Sequence, residues 1–155
     1  MELVFLADRP EAASTLARWY FDEWGHLAEN NSVEKVLGKV AATINRDKAP
    51  LSILATDGNQ IAGGAQLKMR EMERYPDYEF WPGNVFVQAE YRGRGVAASM
   101  AKEIARLAKS FGIPALYLQT QRLDGGVYAR LGWKPVEPVN YRGVEVLVMK
   151  RTLGA

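Results

Sequence analysis

The chain has 155 residues and no cysteine, an absence that excludes disulfides, thiolate metal sites and a cysteine nucleophile together. His26 is the only histidine, which argues against a His-rich zinc or non-haem iron centre, and no metal is expected. No stretch approaches 18 uninterrupted apolar residues, so no membrane-spanning helix is expected and no membrane partner. The opening Met1-Glu2-Leu3-Val4-Phe5-Leu6-Ala7-Asp8 lacks the basic start and apolar length of a secretory signal, which makes a cytoplasmic location the default expectation. Repeats, low-complexity tracts and linker-like segments are also missing, so residues 1–155 read as one domain. Basic residues are scattered without a recognition motif, and no nucleic-acid partner is expected. Any chemistry must then use Tyr, Asp, Glu, Ser, Lys, backbone groups or a bound cofactor.

What is present is ordinary for a soluble globular chain, with 48% hydrophobic and 25% charged residues. The net charge of +2 hides an asymmetry. Residues 1–90 hold 9 Lys/Arg against 14 Asp/Glu, a balance of −5, and residues 91–155 hold 11 against 4, a balance of +7. Such a division suits an anionic cofactor beside a cationic substrate.

Leu3–Leu6 reads as a short strand, and Asp8-Arg9-Pro10-Glu11 as a capped helix start carrying Ala13, Leu16, Ala17, Tyr20 and Trp24 on one face. A second helix begins at Ser32, with Val33, Val36, Leu37, Val40 and Ile44 aligned, and Pro50 marks its exit. Asp57-Gly58 joins strands Leu51–Thr56 and Gln60–Met69 as a hairpin. Residues 70–83 are dense in acids and aromatics, with Pro76 and Pro82 expected to break any regular element, and Asn84–Gln88 follows as a short strand. A helix after Gly95 buries Val96, Met100, Ile104, Leu107 and Phe111. Ala115–Thr120, a short helix capped by Asp124, and strands Trp133–Val139 and Val144–Lys150 complete the order βααβββαβαββ, an α+β domain.

The most informative stretch is Val85-Phe86-Val87-Gln88-Ala89-Glu90-Tyr91-Arg92-Gly93-Arg94-Gly95-Val96-Ala97. It is a strand, a turn and a glycine-rich helix start, where unsatisfied N–H groups and the positive end of the helix dipole suit a phosphate or pyrophosphate. Arg92 and Arg94 add positive charge there. Gly93–Ala98 also satisfies the dinucleotide fingerprint G-x-G-x-x-A. Five residues separate Val87 from Gly93, however, and Leu116–Thr120 ends without the acid that a dinucleotide ribose needs.

Arg92-Gly93-Arg94-Gly95-Val96-Ala97 resembles the Q/R-x-x-G-x-G/A motif of the GNAT superfamily of acyl-CoA N-acyltransferases, and Tyr128-Ala129-Arg130-Leu131-Gly132-Trp133 resembles its Tyr-x-x-x-Gly-aromatic signature. The family-like region spans about residues 80–150, and the upstream elements are similar to the family's lead-in. The resemblance implies a mixed αβα sandwich, with a central, mostly antiparallel twisted sheet of about seven strands and about four helices. It implies acetyl-CoA as cofactor, gripped by Arg92, Gly93, Arg94, Gly95, Val96, Ala97 and Ala98, with the backbone of Val85, Phe86 and Val87 on the acyl and pantetheine parts. Tyr128 is the implied general acid for the departing thiolate. Many family members have an Asn after the strand matching Ala115–Thr120, where this chain has Gln119, Thr120, Gln121 and Arg122.

The expected activity is acetyl transfer from acetyl-CoA directly to a primary amine of a small molecule or peptide, by a monomer or homodimer. Glu71, Glu79, His26 and Tyr141 are the candidate acceptor-side residues, and the acids of residues 70–83 suggest a cationic amine. The alternatives are a non-catalytic acyl-CoA-binding or sensing domain and a dinucleotide-binding oxidoreductase.

Overall fold

The computed structural model describes residues 1–154. Its strands are β1 (Glu2–Phe5), β2 (Leu51–Asp57), β3 (Gln60–Met69), β4 (Phe80–Val87), β5 (Ala115–Thr120), β6 (Lys134–Tyr141) and β7 (Val144–Thr152). Its α-helices are α1 (Ala13–Trp24), α2 (Val33–Ala41), α3 (Val96–Ser110) and α4 (Gly126–Arg130). Seven strands and four helices are the numbers expected for a mixed α+β sandwich. The strands form two sheets of order β1-β2-β3-β4 and β5-β7-β6, and every ladder is antiparallel. β4 and β5 lie side by side without a ladder between them, so each leaves an unpaired edge toward the other.

One core spans both sheets. Ile53, Ala65 and Leu67 of the first sheet and Leu116, Leu118 and Met149 of the second pack with Met100, Ile104 and Ala108 of α3. Each fully buried aliphatic side chain there contributes about 1.5–3 kcal/mol of hydrophobic stabilisation. Leu16, Ala17 and Tyr20 of α1, with Val40 of α2, cover the other face of the first sheet over Leu54. Among the described residues, the second sheet has no helix on that side. Met72 and Trp81 cover it instead, packed with Tyr117, Val139, Val146 and Val148, and Tyr78 stacks on Tyr117 with ring centroids 3.9 Å apart.

Several expectations need correction. β1 ends at Phe5, because Leu6–Asp8 and Pro10–Ala12 form two 3-10 turns and the α-helix starts only at Ala13. Asp8 bonds backward to the N–H of Phe5, at 3.2 Å, and does not cap α1. Helix α2 stops at Ala41, before Ile44. Pro82 does not break the chain: it lies within β4, opposite Leu67. β4 is an edge of its own sheet, where a missing N–H costs no ladder bond on the open side. Residues 144–149 do not alternate simply, since Val146, Leu147, Val148 and Met149 are all buried and β7 is the central strand of its sheet, covered on both faces.

Tyr20 is 5% exposed, and its hydroxyl makes no hydrogen bond to the described residues. Burial pushes its phenol far above the usual tyrosine range. Tyr20→Phe removes an unsatisfied polar group, so stability is expected to hold or to rise by up to about 1 kcal/mol. A thermal melt checks this, and a clear fall in Tm would contradict it.

Candidate functional site

The glycine-rich segment begins where β4 ends. Gln88 donates its N–H to the carbonyl of Ala62 at 2.8 Å, which turns Gln88 toward β3. By the two-residue alternation of a strand, Phe86 belongs to the same ladder, while the N–H and C=O of Val87 face the β5 side. Val85 lies in a bulge: between the pairs Gly64–Phe86 and Gln66–Gly83, β4 places Asn84 and Val85 against Ala65 alone. Asn84 has φ +49°, and its amide donates to the buried Gln66 at 2.7 Å, tying down the bulge. Of the three strand residues expected to meet the cofactor, Val87 thus turns a free N–H toward the unpaired β5 edge. The ring of Phe86 turns to the α1 face, stacked on Trp19 at 5.2 Å.

After a 3-10 turn at Ala89–Tyr91 the chain enters the loop that opens α3. Gly93 and Gly95 both sit at φ +77°, and a Cβ on either would meet nothing within 4 Å. It is the left-handed backbone, rather than crowding, that requires glycine here. The first backbone bond of α3 runs from Ser99 to Gly95, at 3.0 Å. The N–H groups of Gly93, Arg94, Gly95, Val96, Ala97 and Ala98 therefore have no acceptor among the described residues. They border a groove of about 440 Å³ lined by Val87, Tyr91, Arg92, Gly93, Gly95, Val96, Ala97 and Ala98. Free amides in series at a helix start, with a positive dipole end, fit a diphosphate.

The two arginines behave differently from simple solvated charges. Arg92 turns back, its Nε donating to the carbonyl of Val87 at 2.9 Å and its guanidinium lying 5.9 Å from the ring centre of Phe86. Arg94 lies over Tyr91, at 5.5 Å. Both remain exposed beside the groove.

Tyr128 sits on α4, half-buried, its ring edge-on to Trp133 with centroids 6.3 Å apart. It borders the same core cluster as Val85 and Val87. Its hydroxyl bonds to none of the described residues. Asp124 does not cap this short helix: the cap position is Gly125, and Asp124 instead closes a turn before it by accepting from the N–H of Gly126 at 2.9 Å. The Arg122 guanidinium and that N–H hold the Asp124 carboxyl below the usual carboxylate range.

The four candidate acceptor-side residues do not converge. Glu71 and Tyr141 come together, the Tyr141 hydroxyl lying 3.5 Å from the Glu71 carbonyl. The Glu71 carboxylate pairs with Lys68 at 2.6 Å, both side chains largely covered, and the pair lies over Gly83 of β4. Glu79 is elsewhere, paired with Arg70 at 2.7 Å on an exposed surface. His26 lines a separate groove of about 470 Å³ with Phe21, Asp22 and Asn31 at the end of α1. The acids of residues 70–79 are also less available than their number suggests. Besides these two pairs, Arg74 lies 3.8 Å from Glu137, to which Tyr75 donates at 2.5 Å. Burial first, and Glu137 second, push the Tyr75 phenol up to about 12.

Three features escaped sequence reading: the Gln66–Asn84 bond, the backward turn of Arg92, and the role of Tyr91 in lining the groove. Only Tyr91 had a signal, its place directly before the motif.

Comparison with known proteins gives this geometry a family. The fold matches many solved structures. An aminoglycoside 6'-N-acetyltransferase complexed with coenzyme A aligns with TM-score 0.75 at 14% identity, covering 100% of this chain and 98% of its own. An acetyltransferase of the GNAT family from Streptococcus pneumoniae aligns with TM-score 0.70 at 17% identity, covering 99% and 100%. A Salmonella typhimurium protein with its cofactor acetyl-CoA gives 0.74 at 12%, covering 99% and 94%. At these identities the likeness is one of fold. No curated protein matches the chain by sequence. The family model described as Acetyltransferase (GNAT) family matches residues 5–133, most of the molecule, and the chain belongs to that family, whose acyl donor is acetyl-CoA.

Proposed function

We propose that the protein transfers an acetyl group from acetyl-CoA directly to a primary amine of a small molecule or peptide, in the cytoplasm. The observation that carries this is the run of free amides from Gly93 to Ala98 opening beside the outward-facing backbone of Val87. When bound, acetyl-CoA supplies an activated acetyl group and a thiolate leaving group. The amides of Gly93–Ala98 grip its diphosphate, with Arg94 adding charge beside them. The N–H of Val87 would donate to the thioester carbonyl oxygen and stabilise the negative charge that develops there. Tyr128 holds a proton at Oη for the departing sulfur, a service that speeds transfer although a thiolate of pKa about 8.5 leaves readily.

On the acceptor side, Glu71, which lies over Gly83 of β4, is the proposed carboxylate for the amine's proton, directly or through water. Aminoglycoside 6'-N-acetyltransferases among the structural neighbours support an amine acceptor. Because Lys68 and Arg70 pair with Glu71 and Glu79, attraction of a cation by this segment is weaker than its composition suggests.

Calorimetric titration with acetyl-CoA, CoA and NADH tests the reading. Binding of both CoA species at micromolar Kd with no NADH signal is expected, followed by thiol release in a screen of amines. A folded sample that binds no CoA species would overturn it.

A further inference from the structure

Tyr91 is the last residue before the glycine-rich loop, and its ring is 5% exposed in the main core. Its hydroxyl reaches across the molecule to the β2–β3 hairpin, 3.0 Å from Asp57 Oδ2 and 2.8 Å from Gln60 Oε1. These two residues pair with each other and bracket the hairpin turn. Gln88, at the start of the same 3-10 turn, is stitched to the next residues of β3: its Nε2 donates to the Ile61 carbonyl at 2.6 Å and its N–H to Ala62. The entrance to the loop is thus fixed to the hairpin.

Beyond that entrance the loop has little holding it. Gly93 and Gly95 have open space around them, and Arg92 Nε on Val87 is the one side-chain hydrogen bond from residues 92–95 among those described. A glycine-rich segment in this state has several backbone conformations within reach, and ordering it costs conformational entropy. If ordering occurs when the ligand arrives, affinity falls by that cost; if it is done in folding, affinity is kept.

We infer that Tyr91 is a positioning residue for the cofactor: its hydroxyl, bonded to Asp57 and Gln60, braces the Gly93–Ala98 loop with its amides already turned outward. The inference rests on the reading that these amides grip the CoA diphosphate. Tyr91 acts through the loop and touches no reacting atom, so the acetyl-transfer step is unaffected once the cofactor is bound. The Asp57–Gln60 hairpin, remote in sequence from the motif, belongs by this account to the cofactor site.

Three variants separate the possibilities, with CoA as the probe in calorimetry well below each Tm. Tyr91→Phe removes one oxygen and keeps the ring; Asp57→Ala removes a partner and keeps Tyr91; Ala98→Asp places a carboxylate among the amides. The brace predicts that Tyr91→Phe and Asp57→Ala each weaken CoA binding about three- to tenfold, the range set by one lost hydrogen bond. Combining the two should add little, because they break one link. Backbone 15N order parameters of Gly93–Ala98 should fall in free Tyr91→Phe, a change that a role confined to core stability would not produce at that temperature. Ala98→Asp should abolish binding with Tm unchanged. If Ala98→Asp abolishes binding while Tyr91→Phe binds CoA as tightly as the parent, the brace is wrong and the loop reading stands. If Ala98→Asp binds CoA normally, the loop reading fails and the brace falls with it. Should Tyr91→Phe not fold, Asp57→Ala alone decides, by the same threefold threshold.

Discussion

Tyr128→Phe is expected to lower kcat by about 10²–10⁴, while Kd for acetyl-CoA and Tm stay near the parent's. The size follows from what the hydroxyl does. It is the proposed proton donor to the departing sulfur, and general acid catalysis of that kind is worth two to four decades. The unchanged Tm follows from how the residue sits. Its ring packs edge-on to Trp133 and against the main core, which Phe repeats, and the hydroxyl bonds to none of the described residues, so no structural bond is lost. Turnover is impaired and not abolished, because the amide of Val87 and the loop still orient the donor. The test is steady-state kinetics on whichever amine the screen identifies. A Phe variant with full kcat would remove Tyr128 from the mechanism, leaving it as a prop for α4.

Gly63→Ala is expected to cost more than any other single methyl added to the sheet. A Cβ at Gly63 would lie 2.4 Å from the backbone carbonyl oxygen of Phe86, with the Val87 Cα and the Met100 Cε each at 3.3 Å. Side chains can rotate away from an intruding methyl; a paired backbone carbonyl cannot, so β4 itself must move. The neighbouring Gly64 makes the contrast, since its Cβ would meet the end of the Leu16 side chain at 2.7 Å, a group free to shift. Overpacking of a core typically costs about 1–3 kcal/mol, and Gly63→Ala is expected at or above the top of that range, with Gly64→Ala below it. Displacing Phe86 also carries Val87 out of place, so CoA affinity should fall at least tenfold beyond what stability loss explains. Urea unfolding and calorimetry on both variants decide it. Equal destabilisation by the two alanines, or parental CoA affinity in Gly63→Ala, would count against β4 as the wall of the cofactor cleft.

The parts of the molecule that could be read from sequence are those governed by short-range rules. Helical spacing from Val96 to Leu107 places α3 and its buried face, and the glycine pattern marks the loop because only a left-handed backbone needs glycine twice in three residues. The beginning of β4 was hidden for the opposite reason. Pro82, Gly83 and Asn84 are poor strand residues, and they form one because β4 is an edge with a bulge, which depends on the partner strand β3. Acids at 71, 79 and 137 look alike in sequence, yet their partners Lys68, Arg70 and Arg74 become visible only when the segment folds back over β4 and β6. His26 and Glu79 belong to one candidate group by residue type, whereas geometry separates them.

The gap between the two sheets also divides the chain in time. All three ladders of the first sheet lie within residues 2–87, and both ladders of the second within residues 115–152. A chain leaving the ribosome therefore has every partner of the first sheet in hand before the loop at Gly93 is made, and α3 follows at once to cover that sheet's apolar face. Tyr128 arrives later, with the strands that support it. During synthesis the loop proposed to hold the cofactor is therefore made before the proposed acid.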